Sequence, residues 1–414
     1  MMDKPLEHVS SVSRRRFIGG GLATVASALP VFAAEKTGAP AKPAEFKRKI
    51  KLGVVGNGGR GGWIAKLFQK HGGYEMWAVA DYFQEVADKC GDALGVDKAR
   101  RFSGLSGCKK VIESGVEAVA LETPPYFIPG YARAAVEAGL HVYMAKPVAV
   151  DVPGALQIEA AGRLATQKQR CFLVDYQMPT DPANMEVARR VREGGLGKLA
   201  QVHTVGICGG FNDPPKTATI EDRLRGLIWV NDIAIGCDFI GNFDIHAIDA
   251  AIWVIGRRPV SAVGSSRIVR PDPHGDSHDV CSVVYEYADG LVHNHFGQGL
   301  RNNTSGELSA TIHGLEANAL VNYWGKAYVR GGKKHYGGGT VENLYQAGAE
   351  RNIARFHREV VEGRFENDTC QRAVDGVLTC ILGREAAARR ERLTMDQLIK
   401  ENRRLEVDLS GLKG

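Results

Sequence analysis

The run Gly56-Asn57-Gly58-Gly59-Arg60-Gly61 has the spacing of a loop that binds a phosphate chain. It follows a short β-type run, Lys49 to Val55, and precedes a helical pattern carrying Trp63, Ile64, Leu67 and Phe68. In that setting each glycine has a task. The first permits the tight turn, the second lets backbone approach a pyrophosphate, and the third lets helix pack on strand. The helix then offers unpaired N–H groups and its positive dipole end to the phosphates. Arg60 is expected to add a charge-assisted contact there. A second apolar run, Tyr74 to Ala80, ends at Asp81. A carboxylate at this distance accepts hydrogen bonds from ribose hydroxyls and repels a 2′-phosphate. Tyr82 follows, neither Arg nor Ser, so the expected cofactor is NAD and not NADP.

These residues work only if a scaffold gathers them. A helix is expected from about residue 83 to 94. Val116 to Leu121 reads as a strand ending in Glu122-Thr123-Pro124-Pro125. A helix follows over about 130–138, then a strand from Leu140 to Met144 ending in Ala145-Lys146-Pro147. Strand alternating with helix predicts an α/β domain with a doubly wound parallel sheet. Ligands of such sheets sit at the carboxyl ends of the strands. Gly56, Asp81, Thr123 with Pro124, and Lys146 all fall at such ends. After about residue 170 the alternation stops. A helix over 182–193 precedes long β-type runs at 260–269, 279–287 and 310–321, and a helix-rich tail begins near Glu350.

The chain has 414 residues and a formal charge of +6. Lys4, Arg14, Arg15 and Arg16 against Asp3 and Glu7 put 4 − 2 = +2 of that into the first 34 residues. No basic tract with interleaved aromatics follows, which argues against a nucleic-acid partner. Ser13-Arg14-Arg15-Arg16-Phe17-Ile18, an apolar run from Gly19 to Phe32, and the small-residue site Val31-Phe32-Ala33 read as a twin-arginine signal peptide over 1–34. Residues 35–48 read as a linker. The expected location is the periplasm, with no membrane span left after cleavage. That compartment supplies no nicotinamide pool, so any such cofactor must leave the cytoplasm tightly bound. The eight cysteines form no CxxC pair and read as buried thiols, with a disulfide left open. His293 and His295 alternate onto one strand face without further ligands at suitable spacing, so no metal is expected.

The ordered set of glycine loop, Asp81, Thr123-Pro124, Lys146-Pro147 and Gly241-Asn242-Phe243-Asp244-Ile245-His246-Ala247-Ile248-Asp249 resembles the Gfo/Idh/MocA oxidoreductases. The resemblance implies an N-terminal Rossmann domain over 49–170. It also implies a C-terminal α+β domain over 171–414, whose open, mainly antiparallel sheet often mediates homo-oligomer formation. It places Lys146 between nicotinamide and the substrate hydroxyl, with a cis peptide before Pro147. It makes His246 the proton-transfer group.

Two departures stand out. Ala145 replaces a glutamate that precedes the lysine in the family, and Asn242 replaces an aspartate four positions before the histidine. Asn242 can orient a hydroxyl but carries no charge. Tyr176, in Asp175-Tyr176-Gln177, is expected to stack on a sugar ring, and Asp249 to orient or cap. The implied activity is oxidoreduction at a secondary hydroxyl or carbonyl of a sugar or cyclitol. An NAD-dependent glycoside hydrolase working by transient oxidation and a non-catalytic periplasmic binding protein remain alternatives.

Overall fold

The computed structural model describes residues 46–213, 216 and 219–414. The twin-arginine segment and nearly all of the expected linker lie outside the described residues. At the linker's end, Phe46 packs its ring against His71 and His357.

The first domain alternates β1 (Ile50–Val55), α1 (Gly59–His71), β2 (Tyr74–Asp81), α2 (Gln84–Leu94), β3 (Arg101–Ser103), α3 (Gly107–Glu113), β4 (Ala118–Leu121), α4 (Ile128–Glu137), β5 (His141–Met144), α5 (Val152–Gln167) and β6 (Phe172–Val174). All six strands are parallel, in the order β3-β2-β1-β4-β5-β6. The order reverses around β1, so β1 and β4 part their following helices to opposite faces and leave a crevice at their carboxyl ends. The strands are short, apolar and covered on both faces, which is why β4, β5 and β6 read as continuous buried runs. The sheet reaches Val174, a few residues past the expected boundary at 170.

The second domain begins with α6 (Pro182–Arg192) and β7 (Leu199–Cys208). The short helices α7 (Ile220–Arg223) and α8 (Ile233–Gly236), a π-helical turn at Ile240–Asp244, and α9 (Ile245–Ile255) follow. Then come β8 (Ser261–Arg267), β9 (Val280–Glu286), β10 (Val292–Gly299), β11 (Glu307–Gly314), β12 (Ala317–Asn322), β13 (Gly325–Gly331) and β14 (Tyr336–Val341). The chain closes with α10 (Leu344–Glu362), α11 (Thr369–Arg389), β15 (Leu393–Thr394) and α12 (Met395–Glu401). The nine strands form one sheet, β14-β13-β12-β11-β7-β10-β9-β8-β15, antiparallel except at β7/β10. The single β-run expected over 310–321 is instead a hairpin. Leu315, 75% exposed, sits in the two-residue turn between β11 and β12.

One face of this sheet packs on α6, α9 and α11, and the opposite face exposes Val263, Val284 and Phe296. The late helix α10 returns to the first domain, where Ile353 and Phe356 join Ile64, Phe68 and Tyr143 in one core. Arg384 is buried and donates to the carbonyl of Val150. All eight cysteines are free thiols, buried except for Cys208. Among the described residues no helix is long and apolar enough to cross a membrane.

Candidate active site

The glycine loop is built as its spacing demands. Gly56 sits at φ +88°, and a Cβ there would lie 2.6 Å from the carbonyl oxygen of Glu122. A Cβ on Gly61 would lie 1.8 Å from the carbonyl of Gly56. By contrast, Gly58 and Gly59 face open space. Gly58 caps α1 without any side-chain hydrogen bond, so the first N–H groups of the helix await an anion. Asn57 Oδ1 and Thr123 Oγ1 are buried without partners beside it. The uncapped helix and the open glycines fit a dinucleotide pyrophosphate, to which the Thr123 hydroxyl can donate and the Asn57 amide oxygen cannot.

Asp81 closes one end of a pocket also lined by Gly56, Gly58, Tyr82, Thr123, Pro124 and Phe127. Its Oδ2 accepts from Asn57 N at 2.7 Å and its Oδ1 from Phe83 N at 3.1 Å. The carboxylate is thereby oriented at the β2 tip, where an adenosine ribose would meet it. Leu224, Arg225, Gly226 and Trp229 of the second domain form the outer wall. The chain's last residues also reach this rim. Leu105 N donates to the carbonyl of Lys413 at 2.9 Å, and Lys413 N donates to Tyr82 Oη at 3.1 Å.

The adjoining cleft, about 570 Å³, runs between the domains and is lined by Gly58–Gly61, Glu122, Lys146, Asn242, His246, Tyr323 and Tyr345. Lys146 follows β5 in a cis peptide with Pro147. Its amine donates to the backbone carbonyl of Asn242 at 2.5 Å. Burial, with help from Arg60, lowers its pKa to about 7. A lysine so placed can take a proton from a hydroxyl near neutral pH. The π-turn carries Asn242 on one side and leads into α9, whose second residue is His246. Such wide turns recur at functional sites because they re-aim side chains within a helix. The His246 ring packs edge-on to Tyr323 at 5.2 Å, and its Nδ1 is buried without a partner. Burial, then the charges of Lys146 and Arg60, hold it well below the ordinary histidine range. It is a neutral imidazole, able to accept or relay a proton.

Three expectations are corrected. Arg60 does not turn toward the phosphate loop; its guanidinium reaches into the cleft wall and pairs with Asp175 and with Glu122, the latter at 3.1 Å. Two buried carboxylates outcompete a solvated anion for it. Tyr176 is not at the substrate cleft. Its ring is in the core, with the Arg372 guanidinium 5.3 Å from it, and its neighbour Asp175 is buried as well, paired with Arg60. Asp249 neither caps nor reaches the cleft; it pairs with Arg372 at 2.9 Å.

Sequence reasoning missed Glu122 in the cleft wall and Asp175 as the buried partner of Arg60. The available signal was register. β4 and β5 pair Leu121 with Met144, which sets Glu122 beside Ala145.

His293 and His295 join a buried chain of hydrogen bonds. His293 Nε2 and His295 Nδ1 both contact Thr204 Oγ1, at 2.7 and 2.9 Å, and His295 Nε2 reaches Asp244 Oδ2 at 3.0 Å. Asp244, Cys281 and His295 approach closely enough to hold an ion, but both nitrogens of His295 already belong to this chain of hydrogen bonds.

Residues 50–176 match the model of the Gfo/Idh/MocA oxidoreductase family, described by its NAD-binding Rossmann fold. The match covers the parallel-sheet domain from β1 to just past β6. An inositol 2-dehydrogenase of Rhizobium meliloti is 23% identical over 243 residues, 58% of this chain and 66% of its own. Inositol 2-dehydrogenase 4 of Saccharopolyspora erythraea is 30% identical over 258 residues, 59% of this chain and 65% of its own. The matched stretches thus span just under two thirds of these relatives. A levoglucosan dehydrogenase solved with NADH and levoglucosan superposes with a TM-score of 0.70 at 17% identity, covering 84% of this chain and 100% of that one. That likeness extends the shared fold through the second domain.

Proposed function

We propose that the protein oxidises a secondary hydroxyl of a sugar or cyclitol, or reduces the matching carbonyl, with a tightly held NAD, after export by the twin-arginine route. The observation that carries this reading is convergence. Lys146 from the first domain and His246 from the second line one cleft whose wall is the N-terminus of α1. NAD supplies a hydride acceptor at that wall. Lys146, poised near neutrality, takes the hydroxyl proton. His246 and Asn242 hold the neighbouring hydroxyls and pass protons on. Asp81 selects an unphosphorylated ribose, and the Leu224–Trp229 segment covers the nucleotide. The inositol and levoglucosan dehydrogenases among its relatives support a polyhydroxylated ring as substrate.

The test uses protein recovered from the periplasm of a twin-arginine-competent host, with no nucleotide added. Near-stoichiometric NAD(H) should be released on denaturation. Myo-inositol, levoglucosan and a panel of aldoses should be screened for reduction of the bound cofactor, read by its near-ultraviolet absorbance. No bound nucleotide, and none taken up when NAD(H) is supplied, would end the enzymatic reading. Cleavage of a glycoside with no net change in the cofactor would replace it with the hydrolase.

The exposed sheet face suits a second copy of this chain. Val263 and Val284 are cross-strand partners, and Phe296 stands 45% exposed nearby. A clustered apolar face of this kind favours association. We expect Phe296→Lys to shift the protein toward monomer in light scattering; an unchanged mass would place any interface elsewhere.

A further inference from the structure

Ala145 ends β5 between two carboxylates. The parallel registers Leu121–Met144 and Met144–Val174 place Glu122 on one side and Asp175 on the other. Backbone bonds from Ala145 N to Leu121 O at 3.0 Å and from Asp175 N to Met144 O at 2.9 Å hold that row. Arg60 bridges it, and both carboxylate side chains are fully buried. The small side chain at 145 leaves room for this bridge, and a glutamate there would add a third carboxylate to one guanidinium.

The two acids are not equivalent. Asp175 accepts from Arg60, from Gln177 Nε2 at 3.0 Å and from Asn352 Nδ2 at 2.7 Å. Glu122 has only the Arg60 ion pair, and its Oε1 is buried with no partner. It also lines the same cleft as Lys146.

We propose that Glu122 is a positioning residue for Lys146: it supplies, from the neighbouring strand, the carboxylate that Ala145 lacks, and so sets the charge with which the amine meets the substrate hydroxyl. This rests on the reading of Lys146 as the group that takes the hydroxyl proton. In that step the O–H proton passes to Lys146 Nζ while the carbinol C–H electron pair leaves as hydride to NAD, and Glu122 makes and breaks no bond.

The groups facing Lys146 are Arg60 from α1, Glu122 after β4, Asp175 after β6, His246 from α9 and Cys380 from α11. Burial leaves the Cys380 thiol and the His246 imidazole uncharged. Burial works against the charge on Arg60, but Glu122 and Asp175 more than restore it. Asp175 is satisfied by its three donors. Burial, opposed by Arg60, raises the Glu122 carboxyl to about 7, where Lys146 also titrates, while Asp175 acts on the amine from the other side of the row.

A negative Glu122 favours the ammonium form of Lys146. Removing that charge makes the amine release its proton more readily. In Glu122→Gln, the limb of the kcat/KM–pH profile that reports the unprotonated base should move to lower pH by roughly half to one unit. Glu122→Asp should hold the limb close to its original place. Glu122→Ala, which leaves no buried amide to satisfy, is the second variant and should shift as Gln does, so that misfolding of one does not decide the matter. A limb that stays in place in a folded Gln or Ala variant overturns the proposal, because a purely structural role would change KM or melting temperature and leave the limb alone. Lys146→Met separates the two layers: if it keeps the limb, the lysine is not the base and the underlying reading fails first.

Discussion

Lys146→Met should lower kcat by roughly 10²- to 10⁴-fold, the usual worth of a positioned general base, while NAD stays bound. Met matches the aliphatic stem, so the wall of the cleft keeps its shape. What disappears is the amine and its hydrogen bond to the carbonyl of Asn242. Leaving that carbonyl without its donor costs about 1–3 kcal/mol of stability, too little to unfold an ordinary domain. Burial, assisted by Arg60, brings the amine to a pKa of about 7. Wild-type activity should therefore rise with pH through neutrality in the oxidative direction, as the free amine accumulates, and the variant should lose that rise. Steady-state kinetics with calorimetric NAD binding check both statements. A kcat within a few-fold of wild type would move the proton-transfer role to another group, with His246 first in line.

The second large effect is on stability. Asp244 lies under the π-turn with its carboxylate pressed against β7 and β10, in a notch made by paired glycines. A Cβ on Gly206 would stand 2.0 Å from Asp244 Oδ1, and one on Gly297 2.1 Å from Oδ2. No rotation of a short buried side chain accommodates both. Gly297→Ala must therefore displace the carboxylate from His295 Nε2, its partner at 3.0 Å. Leaving a buried hydrogen-bonding group without its partner typically costs about 1–3 kcal/mol, and the steric overlap adds to it. Beyond Asp244, the hydrogen bonds run through His295, Thr204 and His293 to Tyr287 Oη, so the loss should spread along β10. Urea denaturation would show it as a lower midpoint. A loss under about 1 kcal/mol would mean that the sheet yields to the methyl group at little cost, as well-accommodated substitutions do. Because the same turn presents Asn242 and leads into His246, kcat should fall as well.

What could be read from the sequence was local. The glycine loop, Asp81, Thr123 and Lys146 each sit one or two residues beyond an apolar run, and strand ends of a parallel sheet gather at one edge whatever the rest of the chain does. His246 stood out through its spacing from Gly241-Asn242 and the resemblance that spacing carries. The rest depended on parity and register. Asp175 and Tyr176 are adjacent, and a one-residue difference decides which meets Arg60 and which meets Arg372. Arg60 was assigned by its place in a phosphate loop, although its partners, Glu122 and Asp175, lie on two other strands. The notch under Asp244 joins Gly206, Asp244 and Gly297, three positions that no periodicity links. Features closed by long-range pairing stay silent in a single chain until its topology is drawn.

The rim of the adenosine pocket has a consequence for how the protein is made. Tyr82 and Leu105, both early in the chain, are tied to Lys413. A ribosome that has released the six parallel strands has exposed the glycine loop and Asp81, but not the residues that brace this rim or the Leu224–Trp229 wall. The pocket's lining is complete once Trp229 has emerged, but the bracing of Tyr82 and Leu105 waits for Lys413. A chain cut short of residue 413 would carry every recognisable nucleotide-binding motif and lack the hydrogen bonds that tie this rim.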